Sequence, residues 1–107
     1  MKIAFVTAPP EEANGLARRL VESGSAACIN VIFGVTSHYL WDGETQRDSE
    51  ALLIAKVAND RADEFILNVR SIHSYSNPEV ILTDVTGGSS DYIAWVNDPR
   101  DESPRPR

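Results

Sequence analysis

The chain has little cysteine: Cys28 is the only one in 107 residues. That excludes an intrachain disulfide and a four-cysteine zinc site within one chain. Basic residues are also scarce, with ten Lys and Arg against sixteen Asp and Glu, for a formal charge of −6. An acidic surface repels phosphate backbones, so neither nucleic acid nor an anionic membrane is an expected partner. No apolar run approaches the ~20 residues that span a bilayer. The start, Met1-Lys2-Ile3-Ala4-Phe5-Val6-Thr7, turns polar after a few residues; no signal peptide is expected, and the cytoplasm is the expected compartment. Internal repeats and low-complexity tracts are absent. What remains is 42% hydrophobic and 24% charged, the balance of an ordinary soluble domain that buries roughly 65% of its unfolded surface.

Hydrophobic periodicity lays out the elements. Ile3 to Val6 reads as a buried strand running into the turn Thr7-Ala8-Pro9-Pro10. Pro10 suits a first helical position, and Glu11 and Glu12 favour the positive end of the helix dipole. Ala13, Leu16, Ala17, Leu20 and Val21 then mark one helix face, and Gly24 supplies the stop. Ala26 to Leu40 is rich in β-branched and aromatic residues, with Gly34 as a bend or bulge. Asp42-Gly43 between two such runs predicts a hairpin whose return arm covers Thr45 to Val57. Arms this long overhang a small domain, and an exposed edge has to be covered, for which another subunit is one solution.

Asn59 or Asp60 is placed to cap a second helix, with Ala62, Phe65, Ile66, Val69 and Ile72 as its apolar face. His73-Ser74-Tyr75-Ser76-Asn77-Pro78 breaks that helix, because Asn77 precedes a proline. Val80 to Val85 reads as a last strand, and Ser90 is placed to cap a short helix through Val96. The order is β-α-β-β-α-β with a short C-terminal helix: an α+β, ferredoxin-like split βαβ arrangement with helices on one face of an antiparallel sheet. Residues 1–97 form the domain. Residues 98–107 are charged and proline-rich and read as a flexible tail.

On these elements lie residues that, taken in order, resemble a known family. Thr7-Ala8-Pro9, Ser25-Ala26-Ala27-Cys28-Ile29-Asn30 and Tyr39-Leu40-Trp41-Asp42-Gly43 resemble the CutA divalent-cation-tolerance family. So do Asp48-Ser49-Glu50, Lys56, His73, Tyr75, Pro78-Glu79 and Asp91-Tyr92-Ile93-Ala94-Trp95. The matches run from about Lys2 to Asn97. The resemblance implies a ferredoxin-like homotrimer with no enzymatic activity, linked to tolerance of copper and other divalent metals, with Cu²⁺ or a similar cation as ligand. It also implies a trimer architecture like that of PII signalling proteins, and by fold analogy a sensing or regulatory role. Departures bear on the metal chemistry. The family's His-Pro-Tyr-Glu is here His73-Ser74-Tyr75-Ser76, so a proline and an acidic residue are lost. Glu44 stands where the family tends to place Lys. A strand-one cysteine that some members carry, linked to copper, aligns with Val6.

His73, at a helix end, is the leading metal ligand from sequence, since neutral imidazole suits Cu, Zn and Ni; the alternative is a histidine that caps its helix. One imidazole is too few, so a site draws on Glu79 or on a neighbouring subunit. Cys28 is the third ligand candidate, against the plain reading of a small hydrophobe on a core strand. His38, next to Tyr39 on the long strand, reads as a solvated position. Lys56 either binds an anion or pairs with Glu50 or Asp84. Tyr75 and Trp41 are placed to line a cleft between subunits, with Trp41 packing into the trimer. Neither Asp48 nor Asp84 forms a recognisable acid/base pair. Gly87-Gly88 lacks the Lys and the longer glycine pattern of a phosphate loop. Acylphosphatase chemistry on this fold needs an Arg-bearing loop after the first strand, where Ala8-Pro9-Pro10-Glu11 stands. An RNA-recognition module needs aromatic-rich strands and a basic face that are lacking. Two functions survive: a divalent-cation-responsive trimer, and a trimeric PII-like module that binds a small ligand or partner protein at its inter-subunit clefts.

Overall fold

The computed structural model describes residues 1–98; the predicted flexible tail lies, but for Asp98, outside them. In chain order the elements are β1 (Lys2–Ala8), α1 (Pro10–Glu22), β2 (Cys28–Trp41), β3 (Glu44–Val57), α2 (Ala62–Ile72), β4 (Val80–Asp84) and α3 (Ser90–Asn97). The strands form one sheet in the order β2-β3-β1-β4, with every neighbouring pair antiparallel. This is the βαββαβ plan expected from the periodicity.

Strand alternation divides the sheet into two faces. Ala4, Val6 and Ala8 of β1 and Ala51, Leu53, Ala55 and Val57 of β3 point to one face and are buried. Leu16 and Leu20 of α1 and Phe65 and Val69 of α2 close over them to make the core. The small alanines on the strands let the helices approach the sheet closely. The opposite face carries Ile3 and Phe5, paired with Lys56 and Ile54 of β3, and Ile32, paired with Leu52. There α3 returns, with Val96 buried and Tyr92 in contact with the Cys28 thiol. It leaves Ile32 46% and Ile81 58% exposed, so this face keeps an uncovered apolar strip.

β1 pairs only with residues 51–57 of β3. The hairpin formed by Val35 to Trp41 and Glu44 to Glu50 therefore projects past the sheet, in a molecule 49 Å long and 25 × 24 Å across. The overhang predicted from the strand lengths is present, and its register slips between Ile32 and Val35, around Gly34 at φ +81°. The tip is a two-residue turn with Asp42 at φ 52° and Gly43 at φ 77°. A pair of left-handed residues matches the right-handed twist of the arms, which is why Asp-Gly stands there. Gly43→Ala places a Cβ in that conformation and lowers stability by about 1 kcal/mol, to be read from thermal unfolding against wild type.

Several local expectations are corrected. Neither Asn59 nor Asp60 caps α2: a 3₁₀ turn, Asn59–Arg61, precedes it, and no side chain caps the start. Arg61 instead reaches back, donating from Nη1 to the Gly24 carbonyl at 2.9 Å. Ser89 rather than Ser90 stands at the N-cap of α3, without a side-chain cap bond. Val21, assigned to the buried face of α1, is 39% exposed because it sits at the helix flank. Lys56 pairs with the Asn30 side chain, and Asp84 pairs with Lys2, which draws the Asp84 carboxyl below its usual range through that hydrogen bond. Trp41 is 70% exposed within the subunit.

Candidate functional site

The α2–β4 connection runs beside the root of the projecting hairpin, and the two enclose an open groove of about 800 Å³. Asp48 and Glu50 are two residues apart on β3 and so share a face. Both point into the groove, and Glu79 lines its other side. Trp41, Tyr39 and Tyr75 add aromatic surface, and no Lys or Arg lines the groove among the described residues.

Each strand carboxylate is held by a phenol. The Tyr39 hydroxyl donates to Asp48 Oδ2 across the hairpin. The Tyr75 hydroxyl donates to Glu50 Oε2 at 3.0 Å. Burial and then the Glu50 hydrogen bond push the Tyr75 phenol up to about 12. Tyr39 is raised as well, chiefly by its hydrogen bond to Asp48. Both phenols therefore stay protonated at neutral pH and act as fixed donors. Glu50 is 8% exposed, and the Tyr75 phenol is its hydrogen-bond donor among the described residues.

His73 organises the loop that brings Tyr75 there. It ends α2, its N–H donating to the Val69 carbonyl at 2.9 Å. The Tyr75 N–H donates to His73 Nδ1 at 3.0 Å, so Nδ1 is the bare nitrogen; Nε2 then carries the proton and donates to the Thr7 carbonyl at 2.7 Å. Ring centroids of His73 and Tyr75 stand 4.7 Å apart. A chain of hydrogen bonds thus runs from the β1 backbone through His73 and Tyr75 to Glu50.

The three ligands named from sequence do not converge within a subunit. His73 has committed the lone pair that a metal requires to the Tyr75 N–H. Cys28 lies against Tyr92 and pairs with Lys56 of β3, which faces Ile3 of β1 on its other side, whereas His73 lies beside Thr7, four residues and roughly 13 Å further along β1 than Ile3. Glu79 is in the groove, apart from both. Among the described residues no group of three His, Cys, Asp or Glu side chains is placed to hold a metal ion. A cation cage does not fit the residues of one subunit taken alone. Sequence reasoning named Asp48, Glu50 and Tyr39 but placed none of them in a site. Their signal was available in the alternation: an acid-x-acid pair just inside a hairpin, with an aromatic diagonally across from Asp48 on the facing arm.

The architecture is that of a ferredoxin-like α+β domain with an extended hairpin. A profile of the CutA1 divalent ion tolerance protein matches residues 2–99, and the chain belongs to that family. It is 40% identical over 95 residues to the chloroplastic protein CutA of Arabidopsis thaliana, covering 88% of this chain and 52% of that protein. With the divalent-cation tolerance protein CutA of Thermus thermophilus it shares 34% over 98 residues, covering 91% of this chain and 95% of the relative. The chain spans about half the length of the plant relative. The structure of a PII-like protein CutA from a Nostoc species superposes with a TM-score of 0.85 at 34% identity, covering 90% of this chain and 93% of that one. No helix among the described residues is long and apolar enough to cross a membrane.

Proposed function

We propose that the protein acts in the cytoplasm, without enzymatic activity, as a homotrimer in the tolerance of divalent cations, Cu²⁺ among them, with the cation taken up at the acidic groove where subunits adjoin. The observation that carries this reading is the groove itself: Asp48, Glu50 and Glu79 face it and, among the described residues, no Lys or Arg lines it to offset them. One subunit supplies an incomplete ligand set, and a neighbour packed against the projecting hairpin would bring further groups to it. The uncovered strip around Ile32 and Ile81 and the overhanging arms support association, because exposed apolar strands favour being covered. Kinship to proteins named for cation tolerance supports the cellular role.

Calorimetric titration of Cu²⁺, and separately Zn²⁺, into metal-free protein tests the metal reading. Saturable binding that is lost in an Asp48→Asn, Glu79→Gln double variant is expected. Weak binding of equal strength in both proteins would overturn it, since the acidic surface alone would then attract the ions. Light scattering at micromolar concentration is expected to give three times the chain mass; a monomer would sink the trimer. A second reading, a PII-like module that takes a small ligand at the same groove, is favoured by the aromatic lining and by the likeness to the Nostoc protein.

A further inference from the structure

We infer that a cleft between α1 and α2 binds a small aliphatic monocarboxylate, its carboxylate on the Arg19 guanidinium and its carbon chain lying over Gly15. This cleft is separate from the acidic groove and shares no lining residue with it. It encloses about 250 Å³. Glu12, Gly15 and Arg19, at i, i+3 and i+7 of α1, share one helix face and form one wall. Ile72 at the end of α2, with the following His73 and Ser74, forms the other.

Two independent observations point to a ligand. Gly15 is the sixth of the thirteen residues of α1, and glycine in a helix interior costs stability relative to alanine. Neither backbone nor packing calls for it: its φ is not positive, and an added Cβ would meet no atom within 4 Å. The space left by the missing side chain belongs to the cleft. Arg19 is the second observation. Arg18 is committed to Glu22, and Arg61 to the Gly24 carbonyl and Glu64. The Arg19 guanidinium lines the cleft and has neither an ion pair nor a hydrogen bond among the described residues. Glu12, on the same wall, is engaged by the Ser74 hydroxyl, which donates to Oε2 at 3.1 Å.

Charge and size then select the ligand. A guanidinium with all its donors open meets a carboxylate through two parallel N–H···O bonds. A phosphate dianion would bring a second negative charge into a cleft that holds one guanidinium and one acidic side chain, and is disfavoured. Ala8, Pro9, Leu16 and Ile72 are apolar, so the rest of the ligand is hydrocarbon. The cleft is smaller than the roughly 300–1,000 Å³ of sites for drug-sized molecules, which suits a chain of a few carbons.

Titration of pentanoate into isotope-labelled protein, followed by amide chemical shifts, tests the inference beside n-pentanol, which has the chain without the charge. Saturable millimolar binding of pentanoate is expected, with the shifts concentrated at Gly15, Arg19 and Ser74. Binding is expected to weaken by about tenfold for pentanol, and equally for pentanoate with Arg19→Gln, the scale of one charge-assisted pair. Arg18→Gln, on the same helix but outside the cleft, is expected to change nothing. Gly15→Leu fills the open space and is expected to abolish binding. Gly15→Ala is expected to raise the thermal midpoint, because alanine favours the helix and its Cβ has room. Shifts that never saturate, equal binding of pentanol, equal loss in the two arginine variants, or full binding by Gly15→Leu would overturn the inference. So would a lower midpoint in Gly15→Ala, since the glycine would then serve the fold rather than a ligand.

Discussion

Replacing Phe65 by alanine is expected to lower the unfolding free energy by about 4 kcal/mol, read from the urea midpoint at unchanged slope. Phe65 has no exposed surface and is the largest fully buried side chain of the domain. It is the ring that α2 inserts between the sheet and α1, so its removal forfeits both transfer energy and the contacts lining the resulting void. Leu67, two positions along the same helix, is 68% exposed. Leu67→Ala is expected to shift stability by less than about 0.5 kcal/mol. Comparable losses at the two positions would refute the placement of the α2 face.

His73→Leu is expected to cost about 3 kcal/mol, because one substitution strips a partner from two backbone groups, the Tyr75 N–H and the Thr7 carbonyl. Its signature separates it from a simple loss of packing. With the turn released, Tyr75 no longer sits over Glu50, and its phenol returns from about 12 toward the ordinary value of 10.0. Spectrophotometric titration of phenolate, with Tyr75→Phe as the difference spectrum, reads that shift. An unchanged Tyr75 titration in the leucine variant would overturn the clamp.

The same group sets a pH dependence. Because the folded phenol ionises above the unfolded one, its stabilisation is fully present below pH 10 and is lost as pH rises toward 12, where the unfolded chain has already released the proton. Tyr75→Phe is expected to flatten that alkaline decline. Tyr75 is 37% exposed, so solvent screening moderates the size of the effect.

Local chemistry made most of the fold legible. The i, i+3, i+4 recurrence in α1 and α2, the Asp42-Gly43 turn and the break at Pro78 each state their element within a few residues, because helix and strand periods and left-handed turns are properties of short windows. The overhang followed from arithmetic, since β3 is twice as long as the β1 strand that pairs with it. Caps were less legible: Asn59, Asp60 and Ser90 are all suitable cap residues, yet the backbone enters α2 and α3 elsewhere.

The site divided in the same way. Sequence determined which residues could carry chemistry, and His73, Glu79, Tyr75 and Trp41 do lie in or beside the groove. Only the tertiary structure decided their roles, because a hydrogen bond depends on where two distant segments meet. His73 lies 66 residues from Thr7 in the chain, and the carbonyl that fixes its tautomer is chosen by how α2 docks on β1. Asp48 and Glu50 look like ordinary surface acids in an acidic chain. Folding makes them a pair, by setting them on one strand face under two phenols, one of which comes from a loop that the sequence places 25 residues away from Glu50. Periodicity is local and survives in one dimension; the meeting of side chains is not, and it waits on the packing.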